Sequence, residues 1–172
     1  TRLTRVQLSL TYLVGTLAGA FLLPRAGRIY DRLGSRTMTV LTAFALGCAL
    51  LLLSQVDTAI HALQEVVGTL ATGAGLDTAV AFSIMALSFF ALRFLGQGVL
   101  TMSSSNMILK WFDRRRGLVS GLVGLLSSFG FSAAPVLFNW LIEGHGWKGA
   151  WLWLGLAIGL GLTLLAAILY RD

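Results

Sequence analysis

The chain has 172 residues, of which 56% are hydrophobic and 12% charged, and its formal net charge is +6. Soluble domains carry about 25% charged residues, so this composition excludes an ordinary soluble domain and favours a lipid environment, where charge is costly. The single cysteine, Cys48, excludes a disulfide framework, and basic residues clustered between apolar runs indicate membrane topology rather than nucleic-acid binding.

Five apolar runs are each long enough to cross a bilayer as a helix, which takes about 20 residues. Hydrophobic and polar residues do not alternate along these runs, as they would in the strands of a membrane β-barrel. We therefore predict an all-α fold, a polytopic transmembrane helix bundle with five spans. The spans cover approximately residues 6–24, 37–56, 79–109, 117–142 and 149–170.

Lysine and arginine in the short loops predict the orientation, because cytoplasmic loops carry an excess of these residues. The side that holds the loops 25–36 and 110–116 receives most of them and is expected to be cytoplasmic, in what we expect to be a bacterial inner membrane. That side holds Arg25, Arg28, Arg32, Arg36, Lys110, Arg114, Arg115, Arg116 and Arg171, whereas the other side holds Arg2, Arg5 and Lys148.

The segment between the second and third spans is predicted to form a short amphipathic helix over about residues 57–71. Its apolar residues recur at helical spacing opposite a polar face, so the helix is expected to lie at the outer membrane interface. Gly73 and Gly75 are expected to end it. The apolar positions are Val56, Ile60, Leu63, Val67 and Leu70, and the polar positions are Asp57, His61, Gln64 and Glu65.

The loop between the first two spans places one acid among four arginines and two glycines, over residues 25–36. The glycines, Gly27 and Gly34, permit a tight turn. Asp31 can pair with Arg32 or Arg36, or face the partial positive charge of a helix N-terminus. An ordinary basic loop would supply the arginines, but it would not supply this spacing of glycine, aspartate and arginine.

This spacing resembles the signature loop of the major facilitator superfamily, which follows the second helix of that family. Ser35 departs from the family pattern, since a basic residue is common there. The resemblance implies that the matching residues form a conformational latch between the two halves of a transporter and help to control the switch between its outward and inward states. The matching residues are Gly27, Asp31, Arg32, Gly34 and Arg36.

The rest of the chain continues the resemblance in the family's order. Residues 93–98 and 110–117 resemble the fourth helix and its following loop, and residues 146–148 resemble the turn into the sixth helix. The fifth helix resembles the family in Gly121, Gly124, Gly130 and Pro135. The resemblance implies that residues 1–172 are an incomplete N-terminal six-helix half, whose partners are a missing first helix and the C-terminal half of the same protein.

Within the superfamily, the pattern is most similar to the branch of monocarboxylate and oxalate–formate transporters. Drug antiporters of the family carry a Gly-Pro pair in the fifth helix, but in this chain Ala134 precedes Pro135. The resemblance therefore implies a small organic solute as substrate, such as a monocarboxylate or another organic anion.

Arg93 is the only charged residue within the predicted spans. A mid-membrane arginine costs about 3 kcal/mol or more, so a role in substrate binding or coupling is its default interpretation, and a structural arginine is the alternative. Helical spacing places Gln97, Thr101 and Ser104 on the face of Arg93, where we expect them to line a cavity. Thr101 and Ser104 can instead bond to the backbone of their own helix.

Two further groups complete the candidate residues. Tyr12 and Thr16 lie one helical turn apart in the first span and are also substrate or coupling candidates. Glycines four residues apart predict close helix packing; these pairs are Gly15 and Gly19, Gly117 and Gly121, and Gly155 and Gly159.

No enzyme chemistry is predicted, because His61 and His145 fall in outer loops and no acidic pair lies at membrane depth. No catalytic residue, metal site or cofactor is expected, and no phosphate-binding loop occurs. The predicted function is a secondary active transporter of a small organic solute, working by alternating access in the lipid bilayer. A symporter with a co-transported proton is one expected form, and the sequence leaves open antiport, uniport and the identity of the coupling ion. The alternative is a non-transporting integral membrane protein, such as a membrane enzyme or a receptor-like scaffold.

Overall fold

The computed structural model describes residues 4–70, 76–112 and 115–169. These residues form helices and contain no strand, which confirms the predicted all-α fold. The α-helices are α1 (Arg5–Ser54), α2 (Val56–Leu70), α3 (Leu76–Ala91), α4 (Thr101–Trp111), α5 (Arg116–Leu156) and α6 (Thr163–Leu169). Two π-helical segments, Leu92–Leu100 and Ala157–Leu162, join α3 to α4 and α5 to α6.

Helix α1 begins at a capping box. The Thr4 hydroxyl accepts from the Gln7 amide at 3.3 Å, and the Gln7 side chain accepts from the Thr4 amide at 2.9 Å, so two amides at the helix start are satisfied. The helix then continues through Pro24 and the basic residues as far as Gly34. The prediction of a loop over residues 25–36 was therefore wrong for residues 25–33, which are helical.

Glycine breaks divide the two longest helices. Gly34 in α1 has φ 80° and ψ 167°, and Gly146 in α5 has φ 69° and ψ 171°. This region of backbone space is essentially restricted to glycine, so the chain reverses at residues without a side chain. Within the part of the chain that the structure describes, three helical stretches are long and apolar enough to cross a membrane: Arg5–Ser54, Ala79–Trp111 and Arg116–Leu169. The breaks at Gly34 and Gly146 divide the first and the third of these stretches, and the count of five spans stays a prediction.

The first part of α1 and the part after Gly34 both pack on the π-helical segment Leu92–Leu100. Ala26, Met38 and Val99 are buried together, with Leu23, Tyr30 and Phe94 against them. Nearby, the hydroxyls of Thr39 and Ser103 form a buried hydrogen bond of 2.5 Å, and the Thr39 hydroxyl also lies 2.7 Å from the Ser35 carbonyl. The core thus sits where three helical segments meet.

Close helix approach occurs at most of the predicted glycine pairs. A Cβ atom on Gly47 would lie 2.2 Å from the Gly159 Cα atom and 3.0 Å from the Gly155 carbonyl. A Cβ atom on Gly15 would lie 2.8 Å from the Phe90 amide nitrogen, which places α1 directly against α3. A Cβ atom on Gly117 or Gly121, by contrast, would meet no atom of another described helix within 4 Å.

Helix α2 packs against α3 through its first turns. Val56 and Ile60 are buried with Ala81, and Ile84 and Met85 lie against them. The sequence predicted that the apolar face of this helix would lie along the membrane interface. In the structure, the N-terminal part of that face contacts α3 instead. Leu63, further along the same face, remains 49% exposed. The predicted end of the helix at Gly73 and Gly75 lies outside the described residues.

Two polar contacts tie the helices together at opposite ends of the bundle. Lys148 Nζ, just after the break in α5, lies 4.0 Å from Asp57 Oδ2 in the first turn of α2. Arg36 Nη2 donates to the carbonyl of Ala167 in α6 at 2.7 Å. Each contact joins segments that the charge pattern had assigned to the same side of the membrane.

The part of α5 before Gly146 has few neighbours within the described chain, and nearly all of its side chains are exposed. Phe129, Phe131 and Val136 are each more than 70% exposed. Pro135 lies within this helix. The segment after Gly146 differs, because Ala150, Gly155 and Gly159 are buried against the rest of the bundle.

Candidate functional site

Arg93 lies in the π-helical segment that joins α3 to α4. A π-helix closes its hydrogen bonds over five residues instead of four, and such segments occur frequently at functional sites. The Arg93 side chain is partly buried between this segment and the first part of α1. The only charge within the predicted spans therefore sits at the contact between the predicted first and third spans.

Two residues of α1 hold the Arg93 guanidinium in place. Its Nε atom donates to the Thr16 hydroxyl at 3.2 Å, and its Cζ atom lies 4.7 Å from the centre of the Tyr12 ring. Thr16 donates its own proton to the Tyr12 carbonyl at 2.8 Å, so a hydroxyl lone pair is free to accept from Arg93. Tyr12 in turn packs edge-to-face on Phe89 with ring centres 5.7 Å apart.

The contact of a guanidinium with the face of an aromatic ring is a favourable cation–π interaction, and it is stronger away from water. Neither Tyr12 nor Thr16 carries a charge, so the positive charge of Arg93 is not neutralised by them. No further hydrogen bond of this guanidinium is made within the described residues. A guanidinium has five N–H donors in a planar fork, and among the described residues only the Nε donor of Arg93 has an acceptor.

A cavity of about 230 Å³ opens beside Arg93. It is lined by the Thr16 and Arg93 side chains, by Gln97 one helical turn further along, and by apolar neighbours on both helices. Gln97 is exposed and brings both a donor and an acceptor to this wall. Arg93, Gln97, Tyr12 and Thr16 are thus the four substrate or coupling candidates that the structure brings together.

Thr101 and Ser104 lie apart from this group. The Thr101 hydroxyl lies 3.4 Å from the Gly96 carbonyl, and the Ser104 hydroxyl donates to the Leu100 carbonyl at 2.9 Å. Ser104 lines a second cavity, of about 190 Å³, with Met107, Ile108, Trp111 and Phe112. The structure therefore shows the backbone bonds of the alternative for both residues and places neither of them on the cavity beside Arg93. Their role in substrate binding or coupling stays a prediction.

The cavity also has lining residues that sequence reasoning missed. Gly19 and Ala20 continue the face of Thr16 at helical spacing, and Leu23 follows one turn later. Phe94 and Gly98 complete the opposite wall. The helical spacing from Thr16 could have identified the α1 residues of this wall. Small and apolar side chains are common in any packed membrane helix, however, so the spacing alone does not distinguish cavity residues from packing residues.

The residues predicted to form a latch surround the Gly34 break. Gly34 makes the turn, whereas Gly27 lies within regular helix, and the expectation that both glycines shape a tight turn was wrong for Gly27. Asp31 and Arg32 are exposed at the end of the first part of α1. Arg36 is used within the chain, because its bond to the Ala167 carbonyl places a cation at the end of α6, where helix carbonyls carry partial negative charge.

Among residues 4–70, 76–112 and 115–169, no group of three or more histidine, cysteine, aspartate or glutamate residues is placed to hold a metal ion. The arrangement around Arg93 instead offers a fixed cation, a polar amide and aromatic walls. These groups can bind a small anion, but they provide no nucleophile with an adjacent base.

Comparison with known proteins gives a family and two relatives. The model of the Major Facilitator Superfamily matches residues 4–172. Two curated proteins named "Multidrug resistance protein B homolog", from Mycobacterium tuberculosis strains CDC 1551 / Oshkosh and ATCC 25618 / H37Rv, are each 31% identical over 160 residues. The match covers 91% of this chain and 25% of each relative, so the chain spans about a quarter of their length. No solved structure gives a significant match.

Proposed function

The chain belongs to the major facilitator superfamily, and from this premise we propose that it forms one wall of the transport path in a secondary active transporter. In such a protein one six-helix half rocks against the other and exposes a central site to each side in turn. The first helix and a second six-helix half are the intramolecular partners that this mechanism requires. The orientation proposed from the basic residues places the segments 25–36 and 110–116 in the cytoplasm.

The substrate class in this proposal is a small organic anion, such as a monocarboxylate, carried together with a proton. The observation that supports it is the setting of Arg93, whose guanidinium is oriented by the Thr16 hydroxyl and the Tyr12 ring beside a cavity. Arginine binds a carboxylate through two parallel hydrogen bonds. Thr16, Arg93 and Gln97 line this cavity, so a carboxylate bound there would meet a cation, a hydroxyl and an amide.

The test is uptake of labelled formate, lactate and oxalate by cells that express the full-length protein containing this chain, measured between pH 5.5 and 8. Arg93→Gln is expected to lower kcat/KM by about 100-fold, because two hydrogen bonds to a charged group are lost. Arg93→Lys keeps the positive charge but loses the planar pair of donors. Its kcat/KM is therefore expected to lie between those of the wild-type protein and Arg93→Gln. Uptake that rises with proton concentration would support proton coupling.

Arg5→Gln is the matched control, because Arg5 is an exposed arginine at the start of α1 and lies away from the cavity. It removes the same charge and is expected to leave uptake unchanged. Equal uptake by the wild-type protein and Arg93→Gln would contradict a substrate role and return Arg93 to a structural one. Absence of uptake for every carboxylate would contradict the proposed substrate class.

A second candidate function is export of lipophilic drugs, which is favoured by the name "Multidrug resistance protein B homolog" that both relatives carry. Phe94, which lines the cavity, also suits a lipophilic solute, and it stacks on Phe90 with ring centres 5.4 Å apart. Ethidium accumulation distinguishes the two functions. Lower accumulation in expressing cells would support drug export, whereas unchanged accumulation together with carboxylate uptake would support the anion transporter.

A further inference from the structure

Three arginines form a cavity of their own at the end of the first part of α1, away from the Arg93 site. Arg25, Arg28 and Arg32 line a space of about 240 Å³ together with Ile29. Positions 25, 28, 29 and 32 fall on one face of a helix, since they are separated by three or four residues. All four side chains are exposed, so the cavity opens outward from the bundle.

The cavity carries three positive charges, and no acid stands among its lining residues. No hydrogen bond or ion pair of Arg25, Arg28 or Arg32 is made to the described residues. Asp31 belongs to the same turn but does not line the cavity. Arg36 behaves differently, because it is engaged with the Ala167 carbonyl. Three like charges on one helix face repel one another, so an anion that binds between them removes an unfavourable interaction.

The position of the cavity along the helix identifies the kind of anion. The charge-free run 6–24 is about 28 Å long at a rise of about 1.5 Å per residue, close to the thickness of a bilayer's hydrocarbon core. Arg25 therefore emerges at the boundary of the hydrocarbon, and Arg28 and Arg32 lie about 5 and 10 Å further along the axis. The arginines span the layer that holds the phosphates of the lipid headgroups.

The same helix face continues into the membrane as an apolar surface. Phe21, one turn before Arg25, is 78% exposed, and Leu17, a further turn away, is 61% exposed. A ligand that fills the arginine cavity and also covers this surface must carry a negative headgroup above a hydrocarbon chain. A free phosphate ion would use the arginines alone and leave the apolar surface uncovered.

We propose that Arg25, Arg28 and Arg32 bind the phosphate of an anionic phospholipid in the leaflet that they reach, with an acyl chain along Leu17 and Phe21. Basic pockets at the cytoplasmic ends of membrane helices are suited to such headgroups. The proposal depends on the chain spanning the membrane, but it does not depend on the solute that the protein carries. Lipid binding and solute uptake can therefore fail separately.

The experiment measures lipid binding to the full-length, delipidated protein in detergent by native mass spectrometry. The probes are dioctanoyl phosphatidylglycerol, dioctanoyl phosphatidylcholine and inorganic phosphate. The test variant is Arg25→Gln with Arg28→Gln, which leaves the latch candidate Arg32 unchanged. The control is Lys110→Gln with Arg115→Gln, which removes the same charge from exposed residues that the charge pattern assigns to the same side but that lie outside the cavity.

Wild-type protein is expected to bind phosphatidylglycerol more tightly than phosphatidylcholine. The test variant is expected to bind phosphatidylglycerol about 25-fold more weakly, because each arginine near an anionic headgroup contributes about fivefold, and the control should change by less than about twofold. If both variants lose affinity for phosphatidylglycerol equally, the proposal is overturned. The lipid would then be attracted by the summed positive charge of that side of the protein and not by this cavity. Competition by inorganic phosphate at the same concentration as the lipid would assign the site to a free anion instead.

Discussion

At the scale of single residues, the central feature is an arginine held by neutral partners. Placing a guanidinium at membrane depth is costly, and the hydroxyl of Thr16 and the ring of Tyr12 offset part of that cost without cancelling the charge. An aspartate or glutamate in the same place would stabilise the arginine better, but it would also occupy the donors that an anionic solute needs.

Thr16→Val tests whether this orientation matters for binding. The substitution keeps the shape of the side chain but removes the acceptor for Arg93 Nε. A hydrogen bond to a charged group contributes about 1.5–3 kcal/mol, and at 3.2 Å we expect the low end, which corresponds to about a tenfold rise in KM for the transported anion. The measurement is uptake kinetics of the full-length protein.

Thr16→Ser is the matched control, because it keeps the hydroxyl and is expected to restore a KM within about twofold of the wild-type value. A KM that is unchanged in the valine variant would show that the Tyr12 ring alone orients Arg93. Equal loss in the serine and valine variants would indicate a packing effect of the missing methyl group instead of a lost hydrogen bond.

At the scale of helices, small residues decide which faces approach each other. In lipid, hydrophobic residues gain little from leaving the solvent, so packing at small residues and interhelical hydrogen bonds hold helices together. Packing at small residues occurs at the crossing of Gly47, Gly155 and Gly159, and an interhelical hydrogen bond joins Thr39 and Ser103. Both lie on the part of α1 after Gly34, which is the most buried helix of the bundle.

Gly47→Ala is expected to destabilise the protein. A methyl group there would overlap the backbone of Gly159 at 2.2 Å, and backbone atoms cannot move aside as a flexible side chain can. Overpacking of this kind costs about 1–3 kcal/mol, so the unfolding temperature of the detergent-solubilised full-length protein should fall by several degrees.

Gly121→Ala provides the comparison for that measurement, because a Cβ atom at position 121 meets no described atom within 4 Å. Its unfolding temperature should remain the same or rise slightly, since alanine favours helix by about 1 kcal/mol over glycine. An unchanged unfolding temperature in Gly47→Ala would show that the two helices separate more easily than this crossing indicates.

At the scale of the whole molecule, the chain is a membrane helical bundle of a transporter family, and the prediction that it is not an enzyme is confirmed by that membership. The described residues form one well-packed group around α1, whereas α5 before Gly146 is exposed along most of its length. The contacts Asp57–Lys148 and Arg36–Ala167 join segments at the two ends of the bundle.

The latch role remains a proposal, and Asp31→Asn tests it in the full-length protein. Asp31 is exposed next to the Gly34 break, where a partner in another part of the protein can reach it. If it joins two halves that separate in each cycle, the substitution should lower kcat by about tenfold, which corresponds to about 1.4 kcal/mol, with KM within about twofold.

Glu65→Gln is the charge-matched comparison, because Glu65 is an exposed acid on α2, at the other end of the predicted topology. Its kinetics should match the wild-type protein. A rise in KM for Asp31→Asn with unchanged kcat would place Asp31 in solute binding and contradict a role in conformational switching.

The amino-acid sequence by itself determined the class of the protein. The apolar runs, the basic segments between them and the spacing around Asp31 predicted a helical membrane protein and its family, because these properties depend on composition and local order alone. The same reasoning identified Arg93 as the one charge at membrane depth, and it named Tyr12 and Thr16 as polar candidates in another span.

Only the tertiary structure decided which of these residues meet. It placed Thr16 against Arg93 across 77 positions of the chain and bonded Thr101 and Ser104 to their own backbone. It also extended the helix through residues 25–33, so that three arginines share one face. The physical reason is that helical spacing specifies the faces of one helix, whereas the pairing of faces depends on where small residues and glycine breaks allow backbones to approach and turn.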